Sequence, residues 1–110
     1  MSWKLTYLPE ALHDLQQLDH SQQLVVIKRI RKVQKNPLPE SEGGYGKPLG
    51  HKSGNNLTGF LKIKLLKEGI RVVYRLVRTD SEMLIVVVGM RKDEEAYETA
   101  SKRIQNQENE

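Results

Sequence analysis

The chain contains no cysteine. Disulfides and thiolate metal sites are therefore excluded, and a reducing compartment suits it. It also lacks a long apolar run. The longest, Met83 to Met90, is far too short to span a bilayer. The opening Met1-Ser2-Trp3-Lys4-Leu5 carries no hydrophobic stretch of a secretory signal. These absences predict a cytoplasmic protein with no membrane contact. No set of His, Asp and Glu has metal-ligand spacing. Asp93, Glu94 and Glu95 instead open a helix, where acids suit the dipole. Neither a metal nor another cofactor is expected. There is no internal repeat and no linker, so residues 1–110 are read as one domain.

What is present is a folding composition. Hydrophobic residues make up 37% and charged residues 29%, too apolar and too patterned for disorder. A chain of 110 residues buries a thin core, and a single sheet with helices packed on one side is the natural economy. The net charge is +4, which favours polyanions as partners. Most of the basic residues lie between Lys28 and Lys92, while residues 105–110 form a polar, acidic tail. The basic middle is a candidate nucleic-acid face.

The periodicities predict an α+β order. Trp3 to Leu8 suits a short strand. Pro9 sits well in the first turn of a helix carrying Ala11, Leu12, Leu15 and Leu18 on one side. Asp19-His20-Ser21 breaks that helix, with Ser21 as N-cap of a second. Leu24, Ile27, Ile30 and Val33 or Gln34 form the second helix's stripe, and Lys28, Arg29, Arg31, Lys32 and Lys35 fall mostly outside it. Asn36-Pro37 ends it. Residues 37–56, rich in Pro, Gly, Ser and Asn, read as a long functional or mobile loop. Three strands follow, Leu57 to Leu66, Ile70 to Arg78 and Met83 to Met90. A helix over Asp93 to Gln105 then carries Ala96, Ala100 and Ile104 on one side.

Strand parity locates a basic face. Lys62 and Lys64 project together, away from Leu61, Ile63 and Leu65. Arg71, Val73 and Arg75 share a face on the next strand, opposite Ile70, Val72, Tyr74 and Leu76. A two-residue turn at Glu68-Gly69 pairs Lys64 with Val73 and puts all four cations on one face. A three-residue turn would set arginines beside the core leucines and bury unpaired charge, so the even turn is expected. A solvated outer sheet face would carry such residues too; a phosphate-backbone site is the sharper reading. Leu84 to Val88 is apolar on both faces, as in a central strand. Gly89 ends it, Arg91 leaves it, and Tyr97 follows on the last helix, where a core role is also open to it.

Gly59-Phe60-Leu61-Lys62-Ile63-Lys64-Leu65, Gly69-Ile70-Arg71-Val72-Val73-Tyr74, Val88-Gly89-Met90-Arg91-Lys92 and Tyr97, in this order, resemble the RelE branch of the RelE/ParE toxin superfamily. The front, with Glu10-Ala11-Leu12-His13-Asp14-Leu15 opening a helical hairpin, is similar too. The resemblance spans about residues 3–104. It implies a four-stranded antiparallel sheet with the N-terminal helical hairpin on one face and a C-terminal helix. It implies the toxin of a type II toxin–antitoxin system, a metal-independent endoribonuclease that enters the ribosomal A site and cuts mRNA there. The ribose 2′-OH would attack the adjacent phosphate, leaving a cyclic phosphate and a free 5′-OH.

Matched position by position, Lys62, Lys64, Arg71, Arg91 and Tyr97 form the implied catalytic set. Pre-placed cations stabilise the charge that gathers on a phosphorane-like transition state. A lysine set among cations loses its proton more readily, as a general base on a 2′-OH requires. Arg71 would hold the phosphate and Arg91 would support it or the leaving oxygen. Tyr97 would stack on a base or orient the 2′-OH. Arg75 joins the face by geometry, outside the matched set, and is assigned to RNA binding with Lys47, His51 and Lys52 of the loop. His51 is also available as an acid or base near neutral pH, and some relatives use histidine and glutamate. His13 and His20 are read as surface residues. Met90 stands where the family motif often has a basic residue.

The implied partners are a RelB-like antitoxin whose acidic segments cover the basic site, and the ribosome with mRNA in its A site. DNA would be met only through the antitoxin. Two other readings fit the fold. One is ParE-like inhibition of DNA gyrase without nuclease activity. The other is a non-toxic relative that binds the antitoxin.

Overall fold

A computed structural model describes residues 2–52, 55–90 and 92–108, with backbone alone at 51, 52, 55, 56, 93 and 108. The first strand, β1, runs Lys4–Tyr7. Pro9 then opens helix α1 (Pro9–Gln16), where its missing N–H costs nothing. Ala11 and Leu15 are buried. Helix α2 (His20–Gln34) is capped by Asp19 rather than by Ser21. The Asp19 carboxylate accepts the Gln22 N–H at 2.8 Å, and the Gln22 side chain accepts the Asp19 N–H at 3.3 Å. Ser21 instead donates its hydroxyl to the Asp19 carboxylate. An anion at this end also meets the helix dipole favourably.

The buried face of α2 is Val26, Ile30 and Val33. Leu24, expected inside, is 56% exposed. Leu24-Val25-Val26-Ile27 is a continuous apolar run longer than one turn. Spacing alone leaves the phase of such a run open.

Residues 37–56, read as an irregular loop, hold two elements. A 3₁₀ turn covers Glu40–Glu42, and strand β2 covers Lys47–Lys52. Backbone bonds knot the segment. Tyr45 N–H donates to Asn36 O, Gly46 N–H to Leu38 O, and Glu40 N–H to Gly46 O. Arg78 clamps Glu42 through two bonds of 2.9 and 2.6 Å, and that guanidinium holds the Glu42 carboxyl below its ordinary range. Strand β2 escaped notice because Pro48 and Gly50 break its pattern. It is an edge strand with a bulge between those two residues, where proline is tolerated.

Strands β3 (Asn55–Leu65), β4 (Ile70–Val77) and β5 (Glu82–Gly89) follow. The sheet has five strands, ordered β1-β5-β4-β3-β2. It is mixed, which corrects the four antiparallel strands expected. The additions are β2 and the parallel pairing of β1 with β5. The long connection through the other elements permits a parallel pair. The α+β class stands.

The β3–β4 register refines the parity reading. Leu65 is opposite Ile70, Lys64 opposite Arg71, and Lys62 opposite Val73. The connection is therefore residues 66–69 rather than Glu68-Gly69 alone. Pairing slides by two positions, which leaves every side chain on its expected face. Leu66 leaves the ladder and is 78% exposed, and Gly69 takes a positive φ of 70°.

The two faces are covered differently. Tyr74 donates to Pro37 O at 2.8 Å just beyond α2, and the Gln34 side chain reaches Trp3 O. The helical hairpin thus covers the Tyr74 face. Helix α3 (Asp93–Glu108) crosses the opposite face against β3, β4 and β5. Its Ala96, Tyr97, Ala100 and Ile104 are buried, and the small alanines permit close approach. Val73 and Val87 are buried on that same face. The basic side of the sheet is therefore partly roofed.

An ion pair ties the two helical layers together. Arg103 of α3 donates to both oxygens of Asp14 of α1, at 2.7 and 3.2 Å, and to Val86 O at 2.8 Å. Asp14 also accepts Val88 N–H at 3.1 Å. Strand β1 ends opposite Ile85, and these side chains take over its bonding along the rest of β5. Among the described residues no helix is long and apolar enough to cross a membrane.

Candidate functional site

The β2–β3–β4 ladder concentrates cations on one face. Lys47 of β2 is directly opposite Lys62 of β3. Lys64 of β3 is directly opposite Arg71 of β4. Like charges opposed across strands disfavour the sheet, and here two such pairs stand side by side. Alternation along β4 adds Arg75 to this face. Arg75 is opposite Phe60, and its guanidinium carbon lies 5.8 Å from the ring centroid, a cation–π contact. Arg71 also faces Gly89, so the chain leaves β5 beside it.

Tyr97 reaches this cluster from α3. The Lys62 ammonium donates to the Tyr97 hydroxyl at 3.5 Å. Tyr97 is only 5% exposed, so its ring packs in the core and its oxygen meets the basic face. Among the described residues no group of three His, Cys, Asp or Glu could hold a metal ion. A face of this kind binds phosphate and stabilises negative charge that develops near it.

No protein-family model matches the chain. Solved structures share its fold. The free Escherichia coli RelE toxin, as a double mutant, is 24% identical with a TM-score of 0.73 over 94% of this chain and 99% of that one. The isolated E. coli RelE toxin has the same identity and coverage and a TM-score of 0.67. A curated E. coli protein described as RelE-like toxin is 28% identical over 104 residues, 94% of this chain and 99% of its own. Over nearly its whole length the chain is similar to RelE-like toxins, and it shares their fold. The toxin–antitoxin complex RelBE2 of Mycobacterium tuberculosis also shares the RelE-like fold, at 21% identity and a TM-score of 0.65 over 84% of this chain and 95% of that one.

The residues matched to the catalytic set meet in part. Lys62, Lys64, Arg71 and Tyr97 converge around the β3–β4 ladder. Arg91 lies outside the described residues. Lys47 joins the cluster through its pairing with Lys62. His51 and Lys52 do not. His51 is opposite Asn56, six positions along β3 from Lys62 and roughly 20 Å of strand away. Their side chains lie outside the described part.

The sequence reading missed a second group. Arg29 and Lys32 of α2 and Tyr45 of the knotted segment line a cleft of about 230 Å³ together with Lys47, Lys62 and Lys64. The basic run on α2 was visible in the sequence. Nothing in the periodicity tied α2 to the edge of β3, so the run was not joined to the lysines there.

Proposed function

We propose that this protein is the toxin of a toxin–antitoxin pair and acts as a ribosome-dependent endoribonuclease on mRNA. The observation that carries this is the Lys62–Lys64–Arg71 cluster with the Tyr97 hydroxyl against Lys62. The solved RelE toxins share this fold.

In this reading the scissile phosphate sits over the opposed Lys64 and Arg71. Lys62 or Lys64 takes the proton of the ribose 2′-OH as its oxygen attacks phosphorus. The bond from phosphorus to the 5′-oxygen breaks, leaving a 2′,3′-cyclic phosphate, and the 5′-oxygen gains a proton. Arg71 and Arg91 hold and neutralise the phosphate oxygens as charge builds. The burial of the Tyr97 ring favours the polar role left open for it, orienting Lys62 and the 2′-OH, over base stacking. A RelB-like antitoxin is the expected partner, since solved relatives include RelBE complexes. Its acidic segments would cover this cluster. Arg75 and Lys47 extend the face for RNA.

The test is inducible expression followed by primer extension on a translated mRNA. Cuts within codons held on the ribosome are expected, lost in Lys62→Ala and Arg71→Ala by about a hundredfold or more, and in Arg91→Ala. DNA breaks in a gyrase assay with intact mRNA would replace this reading with gyrase inhibition.

A further inference from the structure

The cleft between α2 and the end of β3 shares Lys62 and Lys64 with the proposed catalytic cluster and extends from them toward α2. Strand β2 begins at Lys47 opposite Lys62, so β3 beyond Lys62 has no β2 neighbour. Arg29 and Lys32 come in from α2, Lys47 from β2, and Lys62 and Lys64 from β3. Val33 and Ile63, both buried, form an apolar floor. Tyr45 stands at the rim, 53% exposed.

Several features hold Tyr45 in place. Its N–H bonds Asn36 O. Gly44 and Gly46 on either side pack where no side chain fits, against Leu38 backbone and against Leu61 and Tyr74. Arg78 clamps Glu42 from the other end of the knot. A large ring is therefore displayed to solvent from a fixed backbone, beside cations from three elements. Stacking on such a ring costs little conformational entropy, because tyrosine has few rotatable bonds.

We propose that this cleft is a second nucleotide subsite for single-stranded RNA. A base lies against the Tyr45 ring over the Val33–Ile63 floor, and its flanking phosphate binds Arg29, Lys32 and Lys47. The proposal rests on the ribonuclease reading for its biological meaning. Lys47 and Lys62 stand on neighbouring strands, about 4.8 Å apart across the ladder, so one RNA strand passes from the catalytic cluster directly into the cleft. An acidic helix is the weaker fit, since a helix about 10 Å across does not enter a cleft of about 230 Å³. Aromatic platforms beside cations are how proteins hold unpaired bases.

The experiment titrates the full-length chain with 2′-O-methyl oligoribonucleotides of two and six nucleotides, read by fluorescence anisotropy. The blocked 2′ position keeps the RNA intact, so binding is read without cleavage. Tyr45→Ala is expected to weaken the hexamer about tenfold and to leave the dimer unchanged. Tyr45→Phe retains binding. The Arg29→Gln, Lys32→Gln pair weakens the hexamer and lowers the slope of log affinity against log salt by roughly one. Thermal melts of these surface variants match the parent.

Equal binding by Tyr45→Ala and wild type overturns the proposal, as does an equal loss for both lengths. Loss of affinity for an oligoglutamate peptide in Tyr45→Ala, with hexamer binding intact, also overturns it and assigns the cleft to a protein partner. The two readings fail separately. Normal mRNA cutting with no Tyr45 effect on binding sinks the subsite alone. A Tyr45 effect on the hexamer in a chain that cuts no RNA sinks the nuclease reading and keeps the subsite.

Discussion

Gly46 has no room for a side chain. A Cβ there would meet the Leu61 side chain and the Tyr74 hydroxyl. That hydroxyl is itself committed to Pro37 O. Gly46→Ala must therefore displace a core leucine or break a buried hydrogen bond, and should cost about 2 kcal/mol in urea unfolding. Tyr74→Phe keeps the packing but strands the carbonyl, with an expected loss of about 1 kcal/mol. Burial pushes the Tyr74 hydroxyl well above its ordinary 10.0. A folded value above the unfolded one means the stabilisation is complete below pH 10 and declines as pH rises beyond it. The parent should lose stability above that pH more steeply than Tyr74→Phe, measured by melts along an alkaline series. Little of this was legible beforehand. Gly46 stands in a run of Gly and Pro that signals only a turn, and its contacts lie 15 and 28 positions away. By contrast the shared face of Lys62, Lys64, Arg71 and Arg75 was readable, because alternation in a strand needs no knowledge of distant partners.

At the scale of elements, α3 decides how open the basic face is. Its amphipathic pattern announced a helix, through Ala96, Ala100 and Ile104. The side of the sheet it covers was not announced. A sheet face bearing four cations reads as solvent-exposed, yet Val73 and Val87 lie on it too and need burial. What holds α3 there at its far end is Arg103, whose partner Asp14 is 89 positions away. The side chains of Arg103 and Asp14 are 14% and 9% exposed. Removing Arg103 leaves the Asp14 charge poorly solvated and the β5 carbonyl Val86 O without its partner. Arg103→Met should cost on the order of 3 kcal/mol. The loss should be local as well as global. Amide exchange along α3 should accelerate more than exchange in β3 and β4, because the strands keep their own ladder. If α3 and the central strands accelerated equally, the pair would be a general stabiliser and not the bolt of α3. Since Tyr97 rides on α3, the same variant should reduce mRNA cutting, and more through the turnover rate than through RNA affinity.

At the scale of the molecule, the fold was largely legible because its long central strands and amphipathic helices each declare their own period. The exceptions have a common cause. Strand β2 is an edge strand broken by Pro48 and Gly50, and the β1–β5 pairing joins the first strand to the last; neither leaves a local periodic signal. The assembled charge pattern then sets what the isolated chain can do with DNA. Helices α1 and α2 spend Ala11, Leu15, Val26, Ile30 and Val33 on the core. They form a hairpin laid on a sheet, and neither is a recognition helix standing free of its own fold. The cations of α2 can still meet phosphates, which carry no sequence information. The chain alone should therefore bind its own promoter and an unrelated duplex of equal length with equal affinity. Both affinities should fall in parallel on a log–log plot against salt, with a slope of about −0.9 for each phosphate contacted. A preference for the promoter should emerge only when the antitoxin is added. A protected footprint from the isolated chain at moderate salt would place a sequence-reading surface on this fold and contradict that assignment.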